Sequence, residues 1–298
     1  MDLSVILCTY NNADRLRITL NAFCRLNRPE DVEWELVAVN NNSTDGTEQV
    51  VQSFTDRLPI TYVYEPKQGH NRARNAGLDA AEGDLIVFTD DDVRPSPDWL
   101  IAYWDAYQER PEGYYFGGPI ESDFEGEPPD DDLLDVAMPS VSGLDYGSEP
   151  SEEDFFIGPN WACPSKYLQK VGPFNEEVGL NPHDEQPSVG GETELMRNLR
   201  ENGKRGWYVP EAKISHFVPQ EKCTLDHVVS RLVGGTGGDI HFESSYPTTV
   251  LGVPVGMYKA AAEHLFLWKV RKVMGMKWKA KYLGWKIWKN RIEKYYSK

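Results

Sequence analysis

Short apolar runs alternate with segments of helical character in the N-terminal part of the chain, and this alternation restricts the fold more than any other feature. The apolar runs are LSVILC (3–8), WELVAVN (34–40), ITYVYE (60–65) and DLIVFTD (84–90). The segments between them, at 13–26, 45–54 and 70–81, favour helices. Strands that are apolar throughout and separated by helices indicate βαβ units. The sequence therefore predicts an α/β fold, a Rossmann-like domain with a mostly parallel central sheet.

Polar side chains end three of these runs. They are the clusters Thr9–Tyr10–Asn11, Asn40–Asn41–Asn42 and Asp90–Asp91–Asp92. Ligands of open parallel sheets bind beyond the carboxyl ends of the strands, where these clusters fall. We therefore expect the three clusters to form one site.

The cluster of three aspartates predicts a cation site. Adjacent carboxylates repel one another and are costly to desolvate, so a cation is the obvious compensation. Mg²⁺ or Mn²⁺ takes oxygen ligands from one or two carboxylates, and phosphates and water complete the shell. On an extended segment Asp90 and Asp92 point one way and Asp91 the other. A solvated acidic turn before the helix near Pro97 explains the same residues without a metal.

Charge is distributed unevenly along the chain. Residues 257–298 hold twelve Lys and Arg but two Asp and Glu, a balance of +10, while the whole chain carries −16. An acidic body is a poor partner for nucleic acid. The basic tail suits an anionic membrane surface, and we predict peripheral membrane contact through 257–298.

The tail has the pattern of an amphipathic helix. Its aromatic stripe repeats every three or four residues and comprises Trp278, Tyr282, Trp285, Trp288, Ile292 and Tyr295. A Trp and Tyr stripe flanked by lysines is typical of helices that lie on a membrane. The alternative is a helix packed on the body, with its lysines balancing acidic neighbours.

Two further features concern organisation and location. Residues 121–154 contain thirteen acidic residues and no Lys or Arg, which predicts a long surface loop. The four cysteines are scattered and no secretory signal is visible, so we expect reduced thiols and a cytoplasmic location, peripheral on the inner face of the membrane. We predict three parts, at 1–120, at 121–256 and, as a helical tail, at 257–298.

Five motifs together resemble family 2 glycosyltransferases, which have the GT-A fold. SVILCTYNN resembles the family's opening strand and nucleotide loop, and NNNSTDGT resembles its second strand end. GHNRARNAG matches a G-x-x-x-A-R-N-x-G helix, TDDDVRPSPDWL a D-x-D motif, and GPFNEE a later G-x-F-x-E turn. The motifs follow the family's order over about residues 2–220. The resemblance implies that 1–120 is the nucleotide-sugar donor-binding half of one GT-A domain and that 121–256 is its acceptor-binding and catalytic-base half.

The resemblance implies a nucleotide-diphosphate sugar donor and a Mn²⁺ or Mg²⁺ cofactor. The implied metal ligands are Asp92, Asp90 and His216. The implied nucleotide-binding residues are Thr9, Tyr10, Asn11, Asn40, Asn41, Arg74, Asp90 and Asp91. Arg74 could instead form a salt bridge between helix and sheet. Asn40 and Asn41 stand where the family usually has an aspartate that binds uracil, so uridine, thymidine and guanosine donors all remain open.

A catalytic base is implied in GGETELMRNLRENG. The alignment places Glu192 on the position of the family's catalytic acid, with Glu194 as the alternative. Glu192 falls at the start of a predicted helix, where the helix dipole favours a carboxylate with or without catalysis. Trp161 and Asn160, in GPNWACPSKY, resemble the acceptor-binding region, although a core tryptophan is equally consistent. His70 and His183 lie in polar loops without a specific indication of a role.

The predicted function is a metal-dependent inverting glycosyltransferase. It would transfer a sugar to a saccharide or lipid-linked acceptor in cell-surface polysaccharide or glycolipid synthesis. The alternative is a catalytically inactive relative that binds nucleotide sugar or acts as a scaffold at the membrane. No G-x-G-x-x-G follows a strand, which argues against a nicotinamide-dependent oxidoreductase. The loop after the first strand lacks glycine, which argues against a sugar nucleotidyltransferase.

Overall fold

A computed structural model describes residues 1–177, 191–235, 249–250 and 253–296. The strands are β1 (Leu3–Thr9), β2 (Trp34–Asn40), β3 (Ile60–Tyr64), β4 (Leu85–Asp90), β5 (Val93–Pro95), β6 (Tyr114–Gly117), β7 (Ile120–Phe124), β8 (Ser151–Glu152), β9 (Trp161–Pro164), β10 (Arg205–Tyr208), β11 (Ile214–Val218), β12 (Thr249–Val250) and β13 (Val253–Pro254). The helices are α1 (Ala13–Phe23), α2 (Thr47–Gln52), α3 (His70–Ala80), α4 (Trp99–Glu109), α5 (Asp131–Leu134), α6 (Pro139–Ser142), α7 (Ser165–Val171), α8 (Gly191–Glu201), α9 (Leu225–Gly235), α10 (Val255–Val273) and α11 (Lys279–Tyr296).

The central sheet contains every apolar run that the sequence marked as a strand. Its strand order, within the described residues, is β3-β2-β1-β4-β9-β6-β10-β8. The first four strands of this order are parallel, whereas β9 runs antiparallel to both β4 and β6. Outside this sheet, β11 pairs antiparallel with β5. The predicted α/β fold with a mostly parallel sheet is confirmed.

Both faces of the sheet are buried, which explains why its strands are apolar throughout. Alternate strand residues face opposite sides. One side packs on α1 and α4 and includes Val5, Leu7, Leu36, Val87, Leu16, Leu20 and Trp99. The other side packs on α3 and α8 and includes Ile6, Val37, Val39, Phe88, Ala73, Leu195 and Met196. Helices α3 and α8 are distant in sequence but are therefore fixed against the same face.

The described chain divides into two compact units. The first comprises 1–123 and 143–217, and the second comprises 124–142 and 218–298. These limits differ from the predicted boundaries at 120 and 256, which remain predictions about function. The four cysteines are free thiols.

The acidic segment 121–154 is not one long loop, as the sequence analysis expected. It contains β7, α5, α6 and β8. The side chain of Asp130 accepts a hydrogen bond from the Leu133 amide (2.9 Å) and so caps the short helix α5. Aspartate clusters favour helix starts as well as loops, and composition alone did not distinguish the two.

Within the second unit, the predicted tail forms two helices, α10 and α11, that pack on each other. The Trp268 ring of α10 stacks on Trp285 (ring centroids 5.3 Å apart) and contacts Tyr282 (4.7 Å) and Trp278 (6.5 Å) of α11. These three aromatic residues of the predicted stripe therefore pack between the two helices. No described helix is both long and apolar enough to cross a bilayer.

Aspartates of α5 and its cap hold the start of α11. Asp132 accepts a hydrogen bond from the Trp278 amide (3.0 Å), and Asp130 and Asp135 each lie 2.5 Å from the ammonium group of Lys279 and Lys277, respectively. Lysines of the tail thus pair with acidic neighbours. This is the charge balance that the sequence analysis gave as the alternative to membrane contact.

Candidate active site

The three polar clusters lie at one edge of the central sheet. In the parallel pairing, Thr9 is opposite Asn40 and Cys8 is opposite Asp90. The carboxyl ends of β1, β2 and β4 therefore meet. The prediction that these clusters share one edge is confirmed by the strand register.

Asp90 ends β4 and faces the start of α3. The Nε2 atom of His70, the first residue of α3, lies 3.7 Å from Asp90 Oδ1. Burial opposes ionisation of Asp90, but its contact with His70 and the positive charges of His70, Arg74 and His216 prevail, and they lower its pKa to about 2. Asp90 is therefore an ionised carboxylate beside cationic groups.

Asp91 and Asp92 lie in the turn between β4 and β5, not on the extended segment from which the alternation was predicted, and Asp91 contacts the start of the chain around α1. Its Oδ1 accepts a hydrogen bond from Asn12 Nδ2 (2.7 Å), and its carbonyl oxygen accepts one from the Thr19 hydroxyl (2.8 Å). Burial and the neighbouring charge of Asp92 raise the pKa of Asp91 to about 7. In this structure Asp91 joins the strand end to α1, and its contact with a nucleotide stays a prediction.

Asp92 and His216 form the pair best suited to a metal. His216 is buried in β11, opposite Val93 of β5, and its Nε2 lies 3.4 Å from Asp92 Oδ1. Among the described residues, no group of three or more His, Cys, Asp or Glu side chains converges on one point. The Asp92 carboxylate is a ligand of the type that Mg²⁺ or Mn²⁺ takes, with phosphate oxygens and water as further ligands, and coordination by the His216 imidazole stays a prediction.

Arg74 and Glu192 form an ion pair between α3 and α8. Arg74 is buried, and its Nη1 lies 3.3 Å from Glu192 Oε2 in the first turn of α8. The salt bridge predicted as the alternative role of Arg74 therefore forms, but it joins α3 to the candidate base on α8 and not to the sheet. The positive charge of Arg74 is also one of the causes that lower the pKa of Asp90, after the contact with His70. Glu194 instead accepts a hydrogen bond at Oε2 from the side-chain Nδ2 of Asn175 (3.4 Å).

Two glycines allow this ion pair to form. A Cβ atom on Gly158 would lie 2.4 Å from Arg74 Nη2, and one on Gly191 would lie 2.3 Å from Asn71 Nδ2. Both distances are too short for carbon and nitrogen atoms in contact. The second glycine of GGETEL therefore lets the start of α8 approach α3.

The asparagines predicted to bind the nucleoside hold the surrounding loops together. Asn40 accepts from the Ser43 amide (2.9 Å) and donates to the Tyr62 hydroxyl (3.0 Å). Asn41 donates to the Lys67 carbonyl (2.8 Å) and accepts from the Gly69 amide (2.8 Å). Asn11 accepts from the Thr44 amide (2.7 Å). Thr9 is buried and Tyr10 is partly exposed at the same edge. Base recognition by these residues stays a prediction.

Trp161 and Asn160 belong to the core, which corrects the predicted acceptor contact. Trp161 is fully buried and stacks on Phe88 with ring centroids 4.4 Å apart. Asn160 uses its whole hydrogen-bonding capacity inside the protein. Its partners are Trp99 Nε1 (2.8 Å), Tyr103 Oη (2.8 Å), the Pro119 carbonyl (2.9 Å) and the Ala212 carbonyl (2.7 Å). Neither side chain offers a surface to a sugar.

Sequence reasoning missed Asn12 and Asp45 and gave His70 no role. Asn12 is the last residue of the SVILCTYNN motif and His70 lies inside the GHNRARNAG motif, so both were within recognised signals. Asp45 accepts a hydrogen bond from the Ala13 amide (3.0 Å) and satisfies the start of α1 from a distant loop, which no local signal shows. His183 lies outside the described residues.

Comparison with known proteins agrees with this geometry. The model of the family described as glycosyl transferase family 2 matches residues 4–172. The chain belongs to this family. The matched span contains β1 to β4, the three aspartates and the α3 motif, so the predicted family resemblance is confirmed.

Relatives within glycosyl transferase family 2 share part or most of the chain. Glycosyltransferase AglE of Haloferax volcanii is 34% identical over 100 residues, which are 33% of this chain and 32% of AglE. The GalNAc(5)-diNAcBac-PP-undecaprenol beta-1,3-glucosyltransferase of Campylobacter jejuni is 28% identical over 242 residues, or 75% of this chain and 67% of that protein. The AglE match thus spans about a third of that relative's length.

A solved structure supports the GT-A fold of this family 2 protein. The mannosyltransferase PcManGT from Pyrobaculum calidifontis, in complex with GDP-Man and Mn²⁺, superposes with a TM-score of 0.55 at 24% identity. The superposition covers 78% of this chain and 62% of PcManGT. At this identity the likeness shows a common GT-A architecture.

Proposed function

We propose that this family 2 protein is a metal-dependent inverting glycosyltransferase. It transfers a sugar from a nucleoside-diphosphate donor to a saccharide or lipid-linked acceptor. One observation carries the proposal: Arg74 of α3 forms an ion pair with Glu192 at the start of α8, 3.3 Å away, and His70, the first residue of α3, lies 3.7 Å from Asp90. The candidate base is therefore held by the helix whose first residue faces a strand-end carboxylate.

Glu192 acts as the general base in the proposed reaction. Its carboxylate takes the proton of the acceptor hydroxyl while that oxygen bonds to C1 of the donor sugar. The bond between C1 and the phosphate oxygen breaks, and its electron pair leaves with the nucleoside diphosphate. Attack from the face opposite the leaving group inverts C1, through a transition state with oxocarbenium character.

The strand-end residues bind the donor. Asp92 and His216, with Asp90 beside them, would hold the Mn²⁺ or Mg²⁺ ion, which as a Lewis acid stabilises negative charge on the departing diphosphate. Arg74 orients Glu192 and keeps positive charge near the same phosphates. The loops after β1 and β2, held in shape by Asn11, Asn40 and Asn41, receive the nucleoside.

A lipid-linked acceptor is supported by the Campylobacter jejuni relative, whose name gives an undecaprenol-linked glycan as its substrate. That match covers three quarters of this chain. We therefore place the reaction in the synthesis of a cell-surface polysaccharide or glycolipid, at the cytoplasmic face of the membrane.

A donor screen tests the proposal. Thermal unfolding of the full chain is followed with UDP, dTDP or GDP, each with and without Mn²⁺. A diphosphate that binds only the folded protein stabilises it by about 2.7 kcal/mol at a hundredfold excess over Kd. We expect one base to stabilise the protein in a Mn²⁺-dependent manner and the matching sugar donors to release diphosphate. Stabilisation without release, across sugar donors and acceptors, would favour the inactive scaffold and overturn the proposal.

A further inference from the structure

The outer side of α10 is an exposed apolar surface. Val273, Phe266 and Met274 expose 89%, 67% and 66% of their area, which is unusual for such side chains. With neighbours spaced three or four positions apart, they form one stripe along the helix. We call this surface the α10 face; it comprises Ala262, Leu265, Phe266, Val270, Val273 and Met274.

The α10 face is distinct from the surface that packs on α11. Between α10 and α11, which together form a helical hairpin, Trp268 packs against Trp285 and Tyr282, and the imidazole of His264 lies next to Gly284. Helix α10 therefore has an aromatic inner side within the hairpin and an aliphatic outer side towards solvent. A contiguous apolar surface of this kind marks an interaction site, whereas isolated exposed apolar residues do not.

Positive charge accompanies the α10 face. Lys269 lies within it and Lys272 lies beside it, and both are exposed. Residues 255–276 contain a single acidic residue, Glu263. Lysine stems can lie along an apolar surface while the ammonium groups reach outward. An apolar stripe with lysines is complementary to a lipid surface that offers acyl chains beneath anionic headgroups.

We propose that the α10 face docks this protein onto an anionic lipid membrane. Phe266, Val270 and Val273 enter the boundary between headgroups and acyl chains, and Lys269 contacts lipid phosphates. Three residues of the aromatic stripe of α11, for which the sequence left membrane contact and helix packing equally open, pack against Trp268 inside the hairpin; they are Trp278, Tyr282 and Trp285. The inference is independent of the proposed glycosyl transfer.

Vesicle co-sedimentation of the full chain tests the proposal. The probes are phosphatidylcholine vesicles with and without phosphatidylglycerol, in the absence of any sugar donor, so that catalytic failure does not affect the result. We expect binding to the anionic vesicles that weakens as salt rises. Phe266→Glu with Val273→Glu should lower the partition coefficient at least about tenfold, because two apolar anchors are lost.

Matched variants separate this surface from general effects. Ile18→Glu changes another exposed apolar residue, on α1 of the first unit, and should bind like the wild type. Lys269→Gln should lower binding about fivefold, since one lysine near an anionic surface contributes roughly 1 kcal/mol. Phe266→Ser with Val273→Ser removes the anchors without adding charge. If circular dichroism shows that the glutamate double variant is unfolded, the vesicle binding of this serine double variant tests the proposal instead.

Three results would overturn the proposal. The first is no binding of the wild type to anionic vesicles, and the second is equal binding of the wild type and both double variants. The third is a wild-type dimer in analytical ultracentrifugation that the double variants convert to a monomer without vesicle binding. In that case the α10 face joins two copies of the chain.

Discussion

The two ends of the parallel strands both carry carboxylates, but with different partners. At the amino end, Glu35 accepts hydrogen bonds from the Ser4 hydroxyl (2.7 Å), the Thr61 hydroxyl (2.9 Å) and the Glu82 amide (2.9 Å). At the carboxyl end, Asp90 and Asp92 face the imidazoles of His70 and His216.

The difference lies in what each group can still do. Neutral donors occupy the oxygens of Glu35, which is only 6% exposed, so its network is closed to ligands. The side chains of Asp90, Asp92 and Glu192 are 26%, 18% and 21% exposed, and they face His70, His216 and Arg74, respectively. A buried carboxylate therefore does not by itself indicate a ligand-binding site. Carboxylates that are partly exposed and have ionisable partners are better candidates, and here they lie at the carboxyl edge, where such sheets bind ligands.

The largest effect is expected for Glu192→Gln. The amide keeps the shape of the side chain but cannot take the acceptor proton, so kcat should fall about a thousandfold or more. Thermal stabilisation by the donor diphosphate with Mn²⁺ should remain. Glu194→Gln, two positions along α8, is the matched control and should change kcat by less than about threefold. Full activity of Glu192→Gln, with loss in Glu194→Gln, would move the base to Glu194.

Asp92→Asn should have the next largest effect. The amide is a poorer ligand for a hard cation, so the Mn²⁺-dependent affinity for the donor diphosphate should fall about 10–100-fold, with a matching loss in kcat/KM. Isothermal titration with and without Mn²⁺ measures this directly. Asp105→Asn, an exposed aspartate of α4, serves as the control. An unchanged Mn²⁺ dependence in Asp92→Asn would place the cation elsewhere.

Arg74→Lys should have a smaller effect. Lysine keeps the positive charge but not the planar fork that reaches Glu192. We expect kcat to fall about tenfold while KM for the donor changes little, because orientation of the base is lost and charge is kept. Arg72→Lys, on the same helix and paired with Glu176 at the surface, is the control. A rise in KM with unchanged kcat would instead assign Arg74 to phosphate binding alone.

The sequence predicted the parts of the molecule that follow from local pattern. Apolar runs gave the strands, and the register of parallel strands brought the three polar clusters to one edge. The proximity of His216 to Asp92 was expected only from the family resemblance, since Asp92 lies in the turn after β4 and His216 lies on β11, far away in sequence. The pairing of Arg74 with Glu192 was not expected, because it depends on how closely α3 and α8 approach.

The sequence left two interpretations open where one pattern fits two environments. Trp161 and Asn160 lie in a short segment whose sequence is compatible with an acceptor site as well as with a core strand. The stacking of Trp161 on Phe88, which the sequence does not show, places the segment in the core. The aromatic stripe of α11 suits a membrane surface as well as a helix partner. Its partner Trp268 belongs to a preceding helix whose end the sequence did not indicate.

Glu35→Gln tests the other end of the sheet and should leave catalysis unchanged. The amide can accept at one atom only, so one of the three donors loses its partner in a buried place, and we expect a loss of about 1–3 kcal/mol in the free energy of unfolding. Urea denaturation measures this loss. Glu33→Gln, an exposed neighbour, should stay within about 0.5 kcal/mol of the wild type. Activity per folded molecule should match the wild type in both variants, because no part of the Glu35 network reaches the carboxyl edge. Lost transfer at full stability in Glu35→Gln would contradict the assignment of the amino end to structure alone.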